Sequence, residues 1–443
     1  MKKTSVYICV YLWFQILTLV LAGCAGLRSA LRSELGLPQL GLISTPTPVT
    51  TETLIPTAAP TAEGTRPASG PTVLRLWVPP QFDPASGSAG GELLQARLDL
   101  YMTQRPEVRI ELRVKASTGP GGMLDALGSA NAAAPLALPN LALLSREQLE
   151  TAALKGLLFP YDGQSNSLES QDWFPYALQL ARVQNSTFGL PFAGDALVLL
   201  YRPAAIAAPP LDWAVALEAA QPLAFPAADP AAYFTLAQYQ SIGAQIQDEE
   251  GRPVLEVTSL ATVLAFYQNA EAAGLMPVWL TQLTTDEEAW QAFADSRAEM
   301  GFTWTSRYLS TLAGDTSAET MPTRDGTPFA LADGWAWALS NPQTDRHSLS
   351  IDLAEFLTAG DFLATLTQEA GYLPPRGEAL AGWSNPALRN LVDRIVKSAI
   401  ILPPNDVLAV VGPALQEATL NVIKQQSDPE TAAREAADSL ESP

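Results

Sequence analysis

Histidine and cysteine are nearly absent from this chain, and each absence excludes chemistry. His347 is the single histidine in 443 residues. A HExxH zinc site, any multi-histidine metal centre and any nucleophile–base arrangement needing more than one imidazole are therefore ruled out. No G-x-S-x-G elbow occurs, and Gly119-Pro120-Gly121-Gly122 lacks the Lys-Ser/Thr ending of a phosphate-binding P-loop. A glycosidase would need just two carboxylates, and nothing marks such a pair. No enzyme, metal or cofactor is expected. The two cysteines are Cys9 and Cys24. Cys9 sits in an apolar leader, so the mature chain has no disulfide and depends on an ordinary core. With 443 residues and 47% hydrophobic content it is long enough for two domains. Basic residues are scarce too: 26 Lys and Arg face 46 Asp and Glu, a net charge of −20. Losing Lys2 and Lys3 with the leader makes it −22, and such a surface does not bind nucleic acid phosphates. Charged residues are 16% of the chain, so the acidity reads first as solubility.

The N-terminus carries the most specific signal. Lys2 and Lys3 precede an apolar run, Val6 to Leu21, broken by Gln15 and Thr18. Leu21-Ala22-Gly23-Cys24 follows, and it resembles the lipobox of bacterial lipoproteins. The run is short for a spanning helix, which needs about 20 apolar residues, and fits a cleaved signal peptide over residues 1–23. An uncleaved anchor helix is the other reading, and both leave residues 25–443 outside the membrane. Cys24 is the expected lipidation site, holding the protein on the extracytoplasmic side, in the periplasm or at the cell surface. Several acyl chains on one cysteine anchor stably where one does not. Residues 24–71 form a tether, with Ser44-Thr45-Pro46-Thr47-Pro48-Val49-Thr50-Thr51 continuing through Pro56, Pro60 and Pro67. Polyproline-like, residues 45–71 would span roughly 80 Å at about 3.1 Å per residue.

The body alternates strand and helix patterns from Val73 onward. Strands are expected at Val73–Val78, Val108–Val114 and Leu141–Leu144, with helices at Glu92–Gln104, Met123–Ala130 and Arg146–Lys155 between and after them. That order requires a parallel sheet with right-handed crossovers, and ligands then sit beyond the carboxyl ends of its strands. Trp77, Gln81, Ser117, Gly119 and Gly121 occupy those ends and are candidate ligand residues. Ala196–Tyr201 and Ala330–Leu339 are almost continuous apolar runs, as strands buried on both faces must be. A third chain crossing is expected near Ala359 to Tyr372. Asp286-Glu287-Glu288 reads as a solvated helix start capped by Thr284 or Thr285. His347 reads as a surface loop residue, and the chain beyond Ser427 as a frayed helix.

Four segments carry a family resemblance. They are LRLWVPPQFDP (Leu74–Pro84), FGLPFAGDALVLLYRP (Phe188–Pro203), RAEMGFTWTSRYLSTL (Arg297–Leu312) and GYLPPRGEAL (Gly371–Leu380). In order and spacing they resemble the family 1 extracellular solute-binding proteins of ABC importers, which include the maltose-binding protein. The resemblance covers residues 72 to 420. It implies an α/β, two-lobed type 2 periplasmic-binding fold, each lobe a mostly parallel sheet flanked by helices, with three interlobe crossings. Lobe 1 would comprise 72–195 and 332–360, lobe 2 200–328 and 372–420, and 421–443 a polar C-terminal tail. It also implies capture of a small solute, by default a carbohydrate, delivery to ABC permease subunits, and a monomer. A sensor or adaptor of the same fold, acting on a membrane receptor without transport, is the alternative.

Sugars present apolar C–H faces ringed by hydroxyls, so a sugar cleft needs aromatic platforms beside amides and carboxylates. Phe192 with Asp195, Trp304 with Ser306 and Arg307, Trp335 near Asp333, and Tyr372 are the candidates. Trp335 and Trp337 would share one strand face, both in the cleft or both buried. Asp195 would accept from sugar hydroxyls, hold an amine, or cap backbone in a turn. Trp173 and Trp213 read as packing residues.

Overall fold

The computed structural model describes residues 71–441. The leader, Cys24 and the tether up to residue 70 lie outside the described residues. Strand β1 (Thr72–Val78) pairs in parallel with β2 (Val108–Val114) on one side and β3 (Leu141–Ser145) on the other. Helices α1 (Ala89–Gln104) and α2 (Met123–Ala133) form the crossovers, and α3 (Arg146–Leu154) follows β3. The period of two along β1 decides what each face covers. Leu74, Leu76 and Val78 pack with Leu94, Leu98 and Tyr101 of α1, whereas Trp77 points to the opposite face among Met123 and Leu127 of α2. A capping box starts α3: the Ser145 hydroxyl accepts from the Gln148 N–H, and the Gln148 side chain accepts from the Ser145 N–H.

Strand β4 (Gly189–Tyr201) is the longest in the sheet, and twelve of its thirteen residues are buried. Further on come β5 (Leu223–Ala224), β6 (Met300–Trp304), β7 (Ser317–Glu319), β8 (Ala330–Leu339) and β9 (Ala399–Ile401). The described residues form one nine-stranded sheet in the order β2-β1-β3-β8-β4-β6-β5, with β9 beside β8 and β7 beside β4. Two lobes share it. The first half of β4 and the second half of β8 belong with β1–β3, while Leu197–Tyr201 of β4 pairs with β6 and Ala330–Ala332 of β8 pairs with β9. Those continuous apolar runs are thus the first two interlobe crossings, buried on both sides as their composition requires.

The third crossing is narrower than Ala359–Tyr372. Gly360–Ala370 is a helix whose Phe362, Leu363 and Leu366 pack in the core of lobe 1. The chain passes over at Gly371–Leu373, where Gly194 and Leu373 exchange N–H···O bonds of 2.8 and 2.7 Å. Among the described residues the segment beyond Ser427 is not a frayed helix. Pro429–Glu441 is a helix that buries Ala432, Ala433 and Ala436 in the lobe 2 core, because its small side chains admit close packing. His347 is not a surface residue either: it opens the helix His347–Leu357 at 5% exposure, its Nε2 2.7 Å from the Asn341 carbonyl. Among the described residues no helix is long and apolar enough to cross a membrane.

Candidate functional site

The site forms where β4 and β8 cross between lobes. At this point the backbones lie so close that side chains are excluded. A Cβ on Gly334 would stand 2.5 Å from the Ala193 carbonyl oxygen, and one on Gly194 would run into the Tyr176 ring. Immediately beside these glycines, Asp195 and Asp333 pair across the two antiparallel strands. Like charges at such positions repel, so each carboxylate is held differently.

Asp195 is 5% exposed and surrounded by donors. Its Oδ1 accepts from the Ala196 N–H at 2.9 Å, the Thr305 hydroxyl at 2.7 Å and the Ser306 N–H at 3.0 Å, and its Oδ2 accepts from the Ser306 hydroxyl. The carboxylate therefore ties β4 to the start of the short helix Thr305–Thr311 that follows β6. Burial pushes its pKa up to about 6, against the pull of those hydrogen bonds. Asp333 has fewer partners. Its Oδ1 accepts from the Gly334 N–H at 2.7 Å, and the Arg146 N–H at the start of α3 also favours its ionised form. Burial, with the Asp195 and Glu147 charges adding to it, raises its pKa to about 6.

Around this pair opens a cavity of about 560 Å³. Trp335 and Tyr372 line one side, their ring centroids 5.2 Å apart and edge-on, with Phe82 packed behind both. Trp304 lines the other side at the end of β6, edge-on to Tyr233 at 6.0 Å. Ser306 and Ser310 add hydroxyls. Arg307 also lines the cavity, with Nη2 2.9 Å from Asp286 and Nη1 2.7 Å from Glu287. Asp286 accepts in addition from the Thr303 hydroxyl at 2.7 Å, and burial raises its pKa against these partners. Aromatic faces, hydroxyls and carboxylates around one cavity suit a small polyhydroxylated solute. Among the described residues no group of three or more His, Cys, Asp or Glu is placed to hold a metal ion.

The structure brings seven of the candidate residues together at this cavity: Asp195, Trp304, Ser306, Arg307, Asp333, Trp335 and Tyr372. Phe192 is not among them. It is fully buried, edge-on to Phe82 at 5.4 Å and to Trp337 at 5.5 Å. Trp77 is 3% exposed in the core beneath α2, the inward position that strand alternation assigns it. Gln81 lies in a short 3₁₀ turn away from the cavity lining. The glycine loop is closed on itself: the Gly121 N–H is taken by Asp125 at 2.7 Å, and the Ser117 carbonyl by the Gln148 side chain at 2.7 Å. Gly119 and Gly121 have φ of +82° and +73°, so glycine serves the turn there. Trp335 and Trp337 do share a face, but their fates differ, since Trp335 lies at its cleft end and Trp337 in its fully buried middle. Asp286 was absent from the candidates. The Thr285–Glu288 capping box is present as the sequence suggests, yet the first acid of that helix also faces the cleft.

Two lobes joined by three crossings around an aromatic, acidic cleft define a solute-binding receptor fold. The chain belongs to the bacterial extracellular solute-binding protein family, which matches residues 103–390. This is a family of binding proteins, not enzymes. Among solved structures, a cyclic alpha-maltosyl-1,6-maltose binding protein from Arthrobacter globiformis is 15% identical with a TM-score of 0.70, over 84% of this chain and 98% of its own. The sugar-binding protein MalE from Xanthomonas citri is 17% identical with a TM-score of 0.69, over 83% and 96%. A solute-binding protein from Thermotoga lettingae, bound with alpha-D-tagatose, is 19% identical with a TM-score of 0.63, over 83% and 98%. At these identities the likeness is one of fold. No curated protein matches the chain.

Proposed function

We propose that this protein is a lipid-anchored receptor that captures a carbohydrate between its lobes and delivers the closed complex to an ABC permease as a monomer. One observation carries the carbohydrate reading: aromatic rings from opposite sides of the cleft, Trp304 and Trp335 with Tyr372, flank hydroxyls and carboxylates in a cavity of about 560 Å³. The sugars named for the solved relatives support it. Closure is a population shift: a solute that touches both lobes favours the closed arrangement by its differential affinity. The anchor rests on Leu21–Cys24 and on the Thr/Pro-rich tether behind it.

A thermal-shift screen against sugars, polyols, amino acids and peptides tests the ligand class. A solute at about 100 times its dissociation constant stabilises by about 2.7 kcal/mol, which is roughly 3–4 °C for a body of this size. Stabilisation confined to amino acids or peptides would end the carbohydrate reading. For the anchor, Cys24→Ser should move the expressed chain from the membrane fraction to the soluble fraction. Unchanged membrane retention would instead indicate an uncleaved leader helix.

A further inference from the structure

Charge in the cleft is one-sided. Asp195, Asp286 and Asp333 line the main cavity with one guanidinium, Arg307, which is already paired with both Asp286 and Glu287. A second cavity of about 330 Å³ adjoins it, shares Asp333, and is lined by Arg146 and Glu147. Arg146 is engaged elsewhere: its Nη2 lies 3.5 Å from Glu150, and its Nη1 donates to the Arg182 carbonyl at 2.6 Å. Among the described residues no lysine or histidine lines either cavity. Each cation at the cleft thus already has a carboxylate partner; among the described residues Asp195 and Asp333 form no direct ion pair, and Asp333 feels only the longer-range pull of the Arg146 charge. The hydroxyl and amide donors around Asp195 solvate its charge without neutralising it, and no side chain donates to Asp333.

Two acids facing each other across neighbouring strands, with no cation in ion-pair contact with either, are costly. Hydroxyl recognition does not require that cost, because an amide or a single carboxylate accepts from a hydroxyl as well. A cation placed between them offsets it. Trp335 lies two residues from Asp333 on the same strand and lines the same cavity, so an aromatic face accompanies the carboxylate, a combination that holds ammonium groups.

We infer that the cleft selects a sugar carrying an ammonium group, with Asp333 as its counter-ion and Trp335 as the adjoining aromatic surface. This rests on the carbohydrate reading and narrows it. The test is calorimetric titration of the full chain, near neutral pH, with glucosamine oligomers of two to four units. Their N-acetylated forms, malto-oligosaccharides and spermidine are titrated alongside. The free-amine oligomers should bind at least about tenfold more tightly than the N-acetylated forms of equal length. Asp333→Asn should cost the free-amine oligomers at least about tenfold more affinity than it costs neutral sugars. Equal or tighter binding of neutral sugars overturns the inference and leaves carbohydrate capture standing, as does an equal loss for all sugars in the variant. Binding of spermidine but of no sugar overturns both readings. Binding of no amino sugar overturns the inference. Should Asp333→Asn fail to fold, the comparison of matched oligomers on the unaltered protein decides alone.

Discussion

Acidifying the free protein from about pH 7 to about pH 5 should stabilise it, through Asp195 and Asp333. An ordinary aspartate has a pKa of 3.8, and burial raises both of these to about 6. The folded state then holds their protons more tightly than the unfolded state. Their contribution to stability is full below about pH 4 and is lost as pH rises through about 6. Between pH 7 and 5 each carboxyl recovers about 1.3 kcal/mol, so the pair recovers about 2–3 kcal/mol. At about 2.1 cal/mol/K per residue of unfolding entropy, the described body melts about 3 °C higher at the lower pH. The surroundings of the pair are mostly fixed across that range. Asp195 faces the Thr305 and Ser306 donors and the phenols of Tyr176 and Tyr372, whereas Asp333 faces Arg146, Glu147 and Tyr233. Asp286, Asp229 and Glu150, also raised by burial, act in the same direction, so a variant must isolate the pair. Exposed acids held low by their hydrogen bonds, such as Asp248 and Glu288, act oppositely and at lower pH. Calorimetric melts of the wild type and Asp333→Asn decide the matter. The variant should melt higher at pH 7, because the repulsion is gone, and should lose about half of the pair's share of the rise on acidification. A lower melting temperature at pH 7, or an unchanged rise, would refute a repelling pair.

Other substitutions test the site and its scaffold. Asp195→Ala leaves the Ser306 N–H and two hydroxyls without their acceptor, which should cost about 2–4 kcal/mol and about 3–5 °C in a thermal melt; Asp195→Asn should cost less than half as much. Equal losses in the two variants would show that charge, not capping, is what matters at Asp195. Trp304→Ala should weaken solute binding at least about tenfold in calorimetry. Its partial exposure, edge-on to Tyr233 and at the rim of the lobe 2 core rather than inside it, limits the loss of apo stability to about 2 °C. A larger loss would assign the ring to the core. Gly334→Ala forces a methyl against the Ala193 carbonyl and should destabilise by about 1–3 kcal/mol, whereas Gly128→Ala, in open space on α2, should stabilise by up to about 1 kcal/mol. Melts of the two alanine variants that coincide would contradict the close strand approach.

What could be read in advance depended on whether one segment held the signal. Val108–Val114 alternates and is the strand β2, and the unbroken apolar runs that became β4 and β8 carry their double burial in their composition. Within the cleft, Trp304 and Ser306 were legible because they are neighbours in sequence on one turn. Trp77 and Phe192 misled for a related reason. Trp77 stands near the end of its strand and Phe192 inside the strand that carries Asp195, and period two turns both side chains into packed faces, Trp77 under α2 and Phe192 against Phe82. Asp286 was obscured by a reading that is itself correct, since it belongs to the first turn of a capped helix and also points at Arg307 in the cleft. The pairing of Asp195 with Asp333 had no local signal at all. The two residues are 138 positions apart, and they meet because the close approach at Gly194 and Gly334 sets the register of two antiparallel strands. A shift of one residue in that register would turn one carboxylate to the opposite face. The acidic character of the site is therefore a property of strand register, and the glycines that permit the close crossing also set the charge that an incoming solute meets.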